Sequence, residues 1–396
     1  MKSRSMSLLV LAHAATDINQ GSLPVMLPFF IAEHHISYTA AAAAVFVMNL
    51  VSTTAQPIFG HIADRHSRPW MIPISMLIIA CGVSFLGIAP TYRIGLAGLV
   101  LAGLGIAVFH PEGARLMNYL AEEKKATAMS LFGVGGQLGF AIGPLMTTAL
   151  LLAWGLKGIV WLFLPPALVA ALLIYKLPGL TEGYVTTGAS HGPQAEDMGQ
   201  DAWPAFICLA SALLIRSVIF YGLNTFLPLF WIDVLHQSKA AGGSALTILI
   251  GSSIAGNILG GRFADRLGYR AVTIASFVFL SCLLPFLVFT NMATVATLLL
   301  VPLGFVLSAP FGPMVALGQG YLPNRVGLAS GITLGLAFSF GGLTTPLLGW
   351  IGDHHGLRAT IGAVAFLPIL CVGLSLMLPP MIQRSPHRVG AASRSR

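Results

Sequence analysis

The stretch GHIADRHSR, Gly60 to Arg68, returns 201 residues later as GRFADRLGYR, Gly261 to Arg270, with Asp64 matched to Asp265 and Arg65 to Arg266. In each copy a glycine, Gly60 or Gly261, stands four residues before an Asp-Arg pair, and a long apolar run lies on either side. Each copy reads as a charged turn between two apolar helices. A 396-residue chain with one such echo near its middle reads as two related halves.

The apolar runs exceed the roughly 20 residues that a bilayer-spanning helix needs, and only 9% of the residues are charged, against about 25% in an ordinary soluble domain. The expected fold is an all-α polytopic membrane protein. Spans are expected near 6–31, 38–59, 70–89, 94–117, 126–152, 159–177, 203–231, 243–261, 271–289, 294–317, 327–350 and 358–380, twelve helices in two parallel-repeat bundles of six. The first bundle covers 1–177 and the second 203–396 with a short tail. Between them 178–202, rich in Gly, Thr and acidic residues and without periodicity, is expected to be a linker. Lys2, Arg4 and Ala12-His13-Ala14 resemble a secretory signal, but apolar character continues to Ile31, which favours an uncleaved first span.

Basic residues orient the chain. With the amino terminus inside, sixteen Lys and Arg fall on the cytoplasmic side and four, Arg93, Lys157, Lys239 and Arg358, on the other, while Arg216 lies inside a span. Both termini and both echo turns are therefore expected in the cytoplasm. This bias also accounts for the formal charge of +8, with some contact to anionic lipid and without nucleic acid. Cys81, Cys208, Cys282 and Cys371 stand singly in apolar runs, and the adjacent pairs His34-His35 and His354-His355 are poorly placed to share one ion, so no metal site is expected.

The duplication runs deeper than the turns. FGVGGQLGFAIGP from Phe132 matches LGLAFSFGGLTTP from Leu334 at a spacing of 202, aligning Gly139 with Gly341 and Pro144 with Pro346, while Leu27-Pro28 matches Leu227-Pro228 at 200. Parallel repeats with small residues at helix contacts describe a transporter whose site lies between the halves near the bilayer midplane.

The two echo turns resemble the signature loop of the major facilitator superfamily, and Gly139 to Gly143 and Pro144 are similar to the helix-five motif of its drug and proton antiporters, although Thr147-Thr148 replaces the usual trailing glycine pair and Leu99 the usual helix-four arginine. Val108 to Arg115, VFHPEGAR, resembles the fosmidomycin resistance protein branch. That resemblance implies a bacterial inner-membrane efflux protein driven by proton entry, with the proton-motive force in place of a cofactor.

Of thirteen acids, eleven fall in loops or at helix ends, leaving Asp17 and Glu112 within spans. Buried ionisable groups are costly and default to functional roles. His13 and Asp17, four apart, share a helical face, with Thr16 and Gln20 beside them, and this stripe is expected to face the central cavity. Arg216 falls 200 residues after Thr16, which suggests a cross-cavity interaction with Asp17. Either an anionic substrate competes with Asp17 for Arg216, or the two form a permanent pair holding the halves together. His110 is read as a proton carrier or substrate contact, or as a hydrogen-bonded packing residue. Glu112 and Arg115 pair toward the echo turn. Gln137 and Asn224 are softer pathway positions, as are Tyr221, Asn257 and Gln319.

Asp64 is expected to latch the halves by accepting hydrogen bonds from the amino terminus of helix eleven, and Asp265 likewise from helix five; the alternative is that these charges and Arg65 and Arg266 only set topology. No Walker loop or nucleophile motif is present, which argues against an enzyme or an ATP-driven pump. The expected function is proton-coupled efflux of small anionic or amphiphilic compounds by a monomer. A proton-coupled importer of organic anions is the alternative, and a non-transporting receptor a more distant one.

Overall fold

A computed structural model describes residues 2–65, 68–121, 125–181, 200–325, 328–329, 332–333 and 337–379. All regular structure among them is helical. The first half holds α1 (Lys2–His34), α2 (Tyr38–Arg65), α3 (Met71–Phe85), α4 (Tyr92–Leu120), α5 (Lys125–Trp154) and α6 (Leu164–Leu180). The second holds α7 (Trp203–Asp233), α8 (Lys239–Leu267), α9 (Tyr269–Phe289), α10 (Ala293–Ser308), α11 (Phe311–Tyr321), α12 (Ala337–Leu343), α13 (Thr345–His355) and α14 (Leu357–Leu376).

The twelve expected spans correspond to these helices, but three are interrupted. The tenth breaks at Ala309-Pro310 into α10 and α11, since proline has no N–H and its ring clashes with the preceding turn. The eleventh breaks at Thr344 between α12 and α13. The sixth is preceded by a 3-10 stretch, Gly155–Phe163, that runs into Pro165 and Pro166, and α6 then continues past Pro178 to Leu180, into the segment expected as linker. Residues 182–199 of that linker lie outside the described residues. Eight described helical stretches are long and apolar enough to cross a membrane. α1 does not meet that measure, because polar residues from His13 to Ser22 occupy its middle.

Glycines show that the halves repeat one packing scheme. On α4 a Cβ at Gly103 would lie 2.7 Å from the Met48 carbonyl of α2, and on α10 a Cβ at Gly304 would strike the Leu249 carbonyl of α8, the same contact 201 residues later. Gly139 of α5 lies against the Ala14 carbonyl and Asp17 of α1, and Gly341 of α12 against the Ser217 carbonyl of α7. Small residues let these helix backbones meet directly, as close helix pairs in a bilayer require.

The halves meet where α5 lies on α8 and where α2 lies on α12 and α13. Hydrogen bonds join them at mid-depth, where the Tyr221 hydroxyl donates to Asn49 Oδ1 at 2.8 Å, and at the end of the bundle away from the chain termini. At that far end the Tyr38 and Thr39 amides, the first of α2, donate to the Asp353 carboxylate of α13 at 2.7 and 3.0 Å, and the Tyr38 hydroxyl donates to Asp233 of α7 at 2.8 Å.

Candidate functional site

The polar stripe of α1 does not face a central cavity as a unit. Gly135, Gly139 and Gly143, spaced by four along α5, dock against the α1 backbone, and this docking turns His13 and Asp17 inward, toward α5 and α4. Gly136 leaves the space they fill, since a Cβ there would lie 2.7 Å from both Asp17 Oδ2 and His13 Nε2. His13 Nε2 stands 3.2 Å from Asp17 Oδ2, which confirms the shared face expected from their spacing.

His110 of α4 completes the group, its Nε2 lying 3.8 Å from Asp17 Oδ1. His13 is 7% and Asp17 4% exposed, so the carboxylate is removed from bulk water. The His110 side chain, 25% exposed, forms the accessible edge of the group. Each imidazole is held from behind: His13 Nδ1 meets the Phe132 carbonyl at 2.6 Å and His110 Nδ1 the Ile106 carbonyl at 3.1 Å. A carbonyl only accepts, so both Nδ1 atoms are the protonated donors and both Nε2 atoms turn toward Asp17. The Phe132 ring packs on His13 at 4.1 Å between centroids, and Phe109 closes another side at 5.7 Å. Phe132 and Gly136 lie within the repeated FGVGGQLGFAIGP segment, but the sequence showed that segment as a packing motif, not as a wall of this site.

Arg216 corrects the expected cross-cavity pair. It is buried in the second half, where its Nε donates to the Leu307 carbonyl at 3.1 Å and its guanidinium lies 5.0 Å from the centre of the Phe311 ring. Among the described residues no carboxylate forms an ion pair with it. Asp17 thus pairs with two histidines of its own half and Arg216 with a carbonyl and a ring of the other.

Gln20 and Asn224 line a small cavity between the halves, together with Asn49, Phe140 and Tyr221. The cavity is roomy enough for about one water. Among the described residues Asn224 Oδ1 and Gln137 Oε1 are buried and have no hydrogen-bond partner, as is true of Thr16 Oγ1 and Asp17 Oδ1. Such atoms are rare in folded proteins and gather where a ligand, a proton or water completes the set.

Of the residues expected to gate, the side chains of Asp64 and Arg65 lie outside the described residues, as do most residues of the segment around Gly327 expected to partner Asp64. Gly60 and Gly261 border open space, so neither is held to glycine by a close contact. Asp265 is exposed and accepts from the Tyr269 hydroxyl at 3.4 Å, and Arg266 is exposed in the last turn of α8. Glu112 is buried and accepts the Arg68 amide at 3.2 and 3.3 Å, fastening α4 to the first echo turn as its position suggested, with half-buried Arg115 on the next turn.

Relatives give the arrangement its context. The chain is 30% identical over 378 residues to the MFS-type transporter YfnC of Bacillus subtilis (strain 168), covering 93% of this chain and 91% of that one. It is 27% identical over 380 residues to the fosmidomycin resistance protein of Escherichia coli (strain K12), with the same coverage. The solved structure of a bacterial homolog of the human lysosomal transporter Spinster, inward-facing and unoccupied, superposes with a TM-score of 0.80 at 16% identity, over 95% of this chain and 96% of that one. The family model of the Major Facilitator Superfamily matches residues 9–346, and the chain, a multi-pass membrane transporter by fold and by relatives, belongs to the major facilitator superfamily.

Proposed function

We propose that the protein is a proton-coupled antiporter that exports small anionic or amphiphilic compounds across the bacterial inner membrane, with both termini in the cytoplasm and the monomer as the working unit. The observation that carries this reading is the division of charge between the halves. His13, Asp17 and His110 stand together in the first half, a group suited to hold and exchange a proton, while Arg216 of the second half is a buried cation with no carboxylate paired to it among the described residues. A fixed guanidinium suits carboxylate or phosphonate oxygens, since it keeps its charge and presents several donors.

Coupling then follows from rocking one six-helix bundle on the other. Proton binding at Asp17 and its histidines changes the charge of the first bundle, and anion binding at Arg216 that of the second. The small cavity between Gln20 and Asn224 lies where the two bundles meet. The likeness to the Escherichia coli fosmidomycin resistance protein supports outward transport of a phosphonate-type compound. Echo-turn residues Asp64 and Asp265 serve as terminal-end latches on this reading.

The test is transport of a small phosphonate in vesicles of defined sidedness. Inside-out vesicles acidified inside should accumulate the probe, and collapse of the gradient should release it. Arg216→Gln should weaken probe binding at least about tenfold, the scale of a charge-assisted pair, with Arg216→Lys partly retaining it. Accumulation only in right-side-out vesicles reverses the direction. Unchanged binding in both variants removes Arg216 from the substrate site.

A further inference from the structure

We propose that His13, Asp17 and His110 form a binding site for a divalent transition-metal ion, which competes with protons for the same three side chains. This inference deepens the proton-site reading above and rests on it for the accessibility of the group from the transport path.

The tautomers of the two histidines are fixed. Both Nδ1 atoms donate to backbone carbonyls, Phe132 to His13 and Ile106 to His110, so a neutral ring at either position points an Nε2 lone pair at Asp17. At 3.2 and 3.8 Å from a carboxylate, such lone pairs repel it unless a proton or a cation stands among them. Asp17 Oδ1, buried and without a hydrogen-bond partner among the described residues, faces this space, 3.8 Å from His110 Nε2. One ligand atom from each of the three residues lies within 4.8 Å of the others. Around a zinc ion with bonds of about 2.0–2.2 Å, tetrahedral ligand atoms stand about 3.3–3.6 Å apart. The His13–Asp17 spacing already matches. Rotation of His110, the partly exposed member, closes the remainder.

The supporting shell is also present. Metal-ligating histidines donate the other ring nitrogen to a carbonyl or carboxylate, which fixes the tautomer and raises ligand basicity. Both histidines here meet that condition before any ion arrives. Two imidazoles and one carboxylate suit zinc, nickel, cobalt or copper(II), whereas calcium and magnesium call for oxygen ligands. Three protein ligands leave at least one coordination position toward the exposed edge at His110, open to water or an anionic ligand. Binding displaces the proton or protons held among the three side chains into solvent, so affinity falls as pH falls. Beside the three residues themselves, Tyr221 of α7 is close enough to interact electrostatically with Asp17. The wall contributed by α5 is Phe132, Gly136 and Gly139, and that of α4 adds Phe109.

Calorimetric titration of the detergent-purified full chain with Zn²⁺ tests this. To remove the background of the surface pairs, the parent carries His34→Ala, His35→Ala, His354→Ala and His355→Ala, which should leave the buried site's binding unchanged. One ion should bind per chain, with proton release seen as a dependence of the heat on the buffer's ionisation enthalpy. His110→Ala and Asp17→Asn should each weaken binding by more than about a hundredfold, beyond the loss of an outer-shell partner. His110→Cys should restore much of it, and Co²⁺ should then show a thiolate charge-transfer band absent from the parent. His110→Ala is the variant least at risk of misfolding, because its side chain is partly exposed, and its unfolding temperature verifies the fold. Absence of a stoichiometric Zn²⁺ site, or equal affinity in the parent and His110→Ala, overturns the proposal. Probe transport with metal chelated separates the two readings: proton-driven accumulation without Zn²⁺ binding sinks only the metal site, and Zn²⁺ binding with pH-independent transport sinks only the proton coupling.

Discussion

The two halves share a backbone scheme and differ in chemistry at the same places. Gly139 presses on Asp17 in the first half and Gly341 on Ser217 in the second, 200 residues after Asp17. The α4 segment Phe109-His110-Pro111 is matched 202 residues later by Phe311-Gly312-Pro313 in α11. His13, Asp17 and His110 thus correspond to Leu213, Ser217 and Gly312. In the second half the Ser217 hydroxyl accepts the Gly341 amide at 2.8 Å, a neutral contact that holds two helices together and can do little else. Thr16, by contrast, corresponds to Arg216. Duplication preserved the close helix contacts, and the halves then divided the charge: titratable groups in one, a permanent cation in the other.

The sharpest way to break this division is to remove each half's version of the shared position. Asp17→Asn should abolish proton-driven accumulation, because the carboxylate is the common partner of both histidines. Ser217→Ala should cost about 1 kcal/mol of stability, one lost hydrogen bond, and leave the pH profile of transport as it was. Counterflow, which needs no proton gradient, supplies the check that Asp17→Asn still folds and binds. A comparable transport loss in both variants would mean that the contact, not the proton, is what Asp17 supplies.

Next in size is a change that should treat the halves alike. A Cβ at Gly139 strikes the Ala14 carbonyl, and one at Gly341 strikes the Ser217 carbonyl, backbone atoms that cannot move aside cheaply. Gly139→Val and Gly341→Val should each lower stability by about 1–3 kcal/mol through overpacking, read as earlier thermal unfolding in detergent. Gly139→Val should in addition shift the pH profile, since the displaced helix carries Asp17. Tolerance of valine in one half alone would show that the repeat in sequence is not a repeat in packing.

Much of this was legible in the sequence because repetition is a physical signal. The echo turns, the glycine spacing of 202 and the apolar spans needed only the bilayer's demand for satisfied backbone and close contacts at small residues. His13 with Asp17 was legible too, since helical periodicity fixes which residues share a face. The approach of His110 was not, because it depends on how α4 crosses α1, which no local pattern encodes. Arg216 misled for a related reason. Its position in the repeat is correct, but a long side chain on a buried helix has several neighbours within reach, and Leu307 and Phe311 lie on its own side. The side chain of Asp64, the expected latch, lies outside the described residues, and a cap of the same kind that was not foreseen stands at the far end, where Asp353 of the second half accepts from the amino terminus of α2.

That far-end contact distinguishes the two inter-half seams and gives the smallest expected effect. Where α13 meets the start of α2 the acid is Asp353; where α5 meets the start of α8 the matching residue, 202 earlier, is buried Leu151, and the seam relies on Gly243 against Thr148. Partial burial pushes the Asp353 carboxyl up, but hydrogen bonds from the Thr39 hydroxyl and amide, the Tyr38 amide and the Ser37 hydroxyl outweigh it and hold the group below its ordinary range. A lowered value fixes the sign. The contact is at full strength above the ordinary carboxylate pKa of about 3.9 and fades only as pH falls through the lowered value, so it is insensitive between pH 5 and 8 on the order of experimental error. Asp353→Asn keeps the shape and removes the charge from an exposed contact, which should weaken the seam by about 1 kcal/mol. Cysteine labelling at a site buried beneath it, such as Ala42→Cys, should then speed up several-fold in the Asn variant at neutral pH, with no change when Thr148→Ala is made instead. Equal acceleration by Thr148→Ala would put the resistance to opening in helix packing on both seams, and leave the carboxylate as an ornament of one of them.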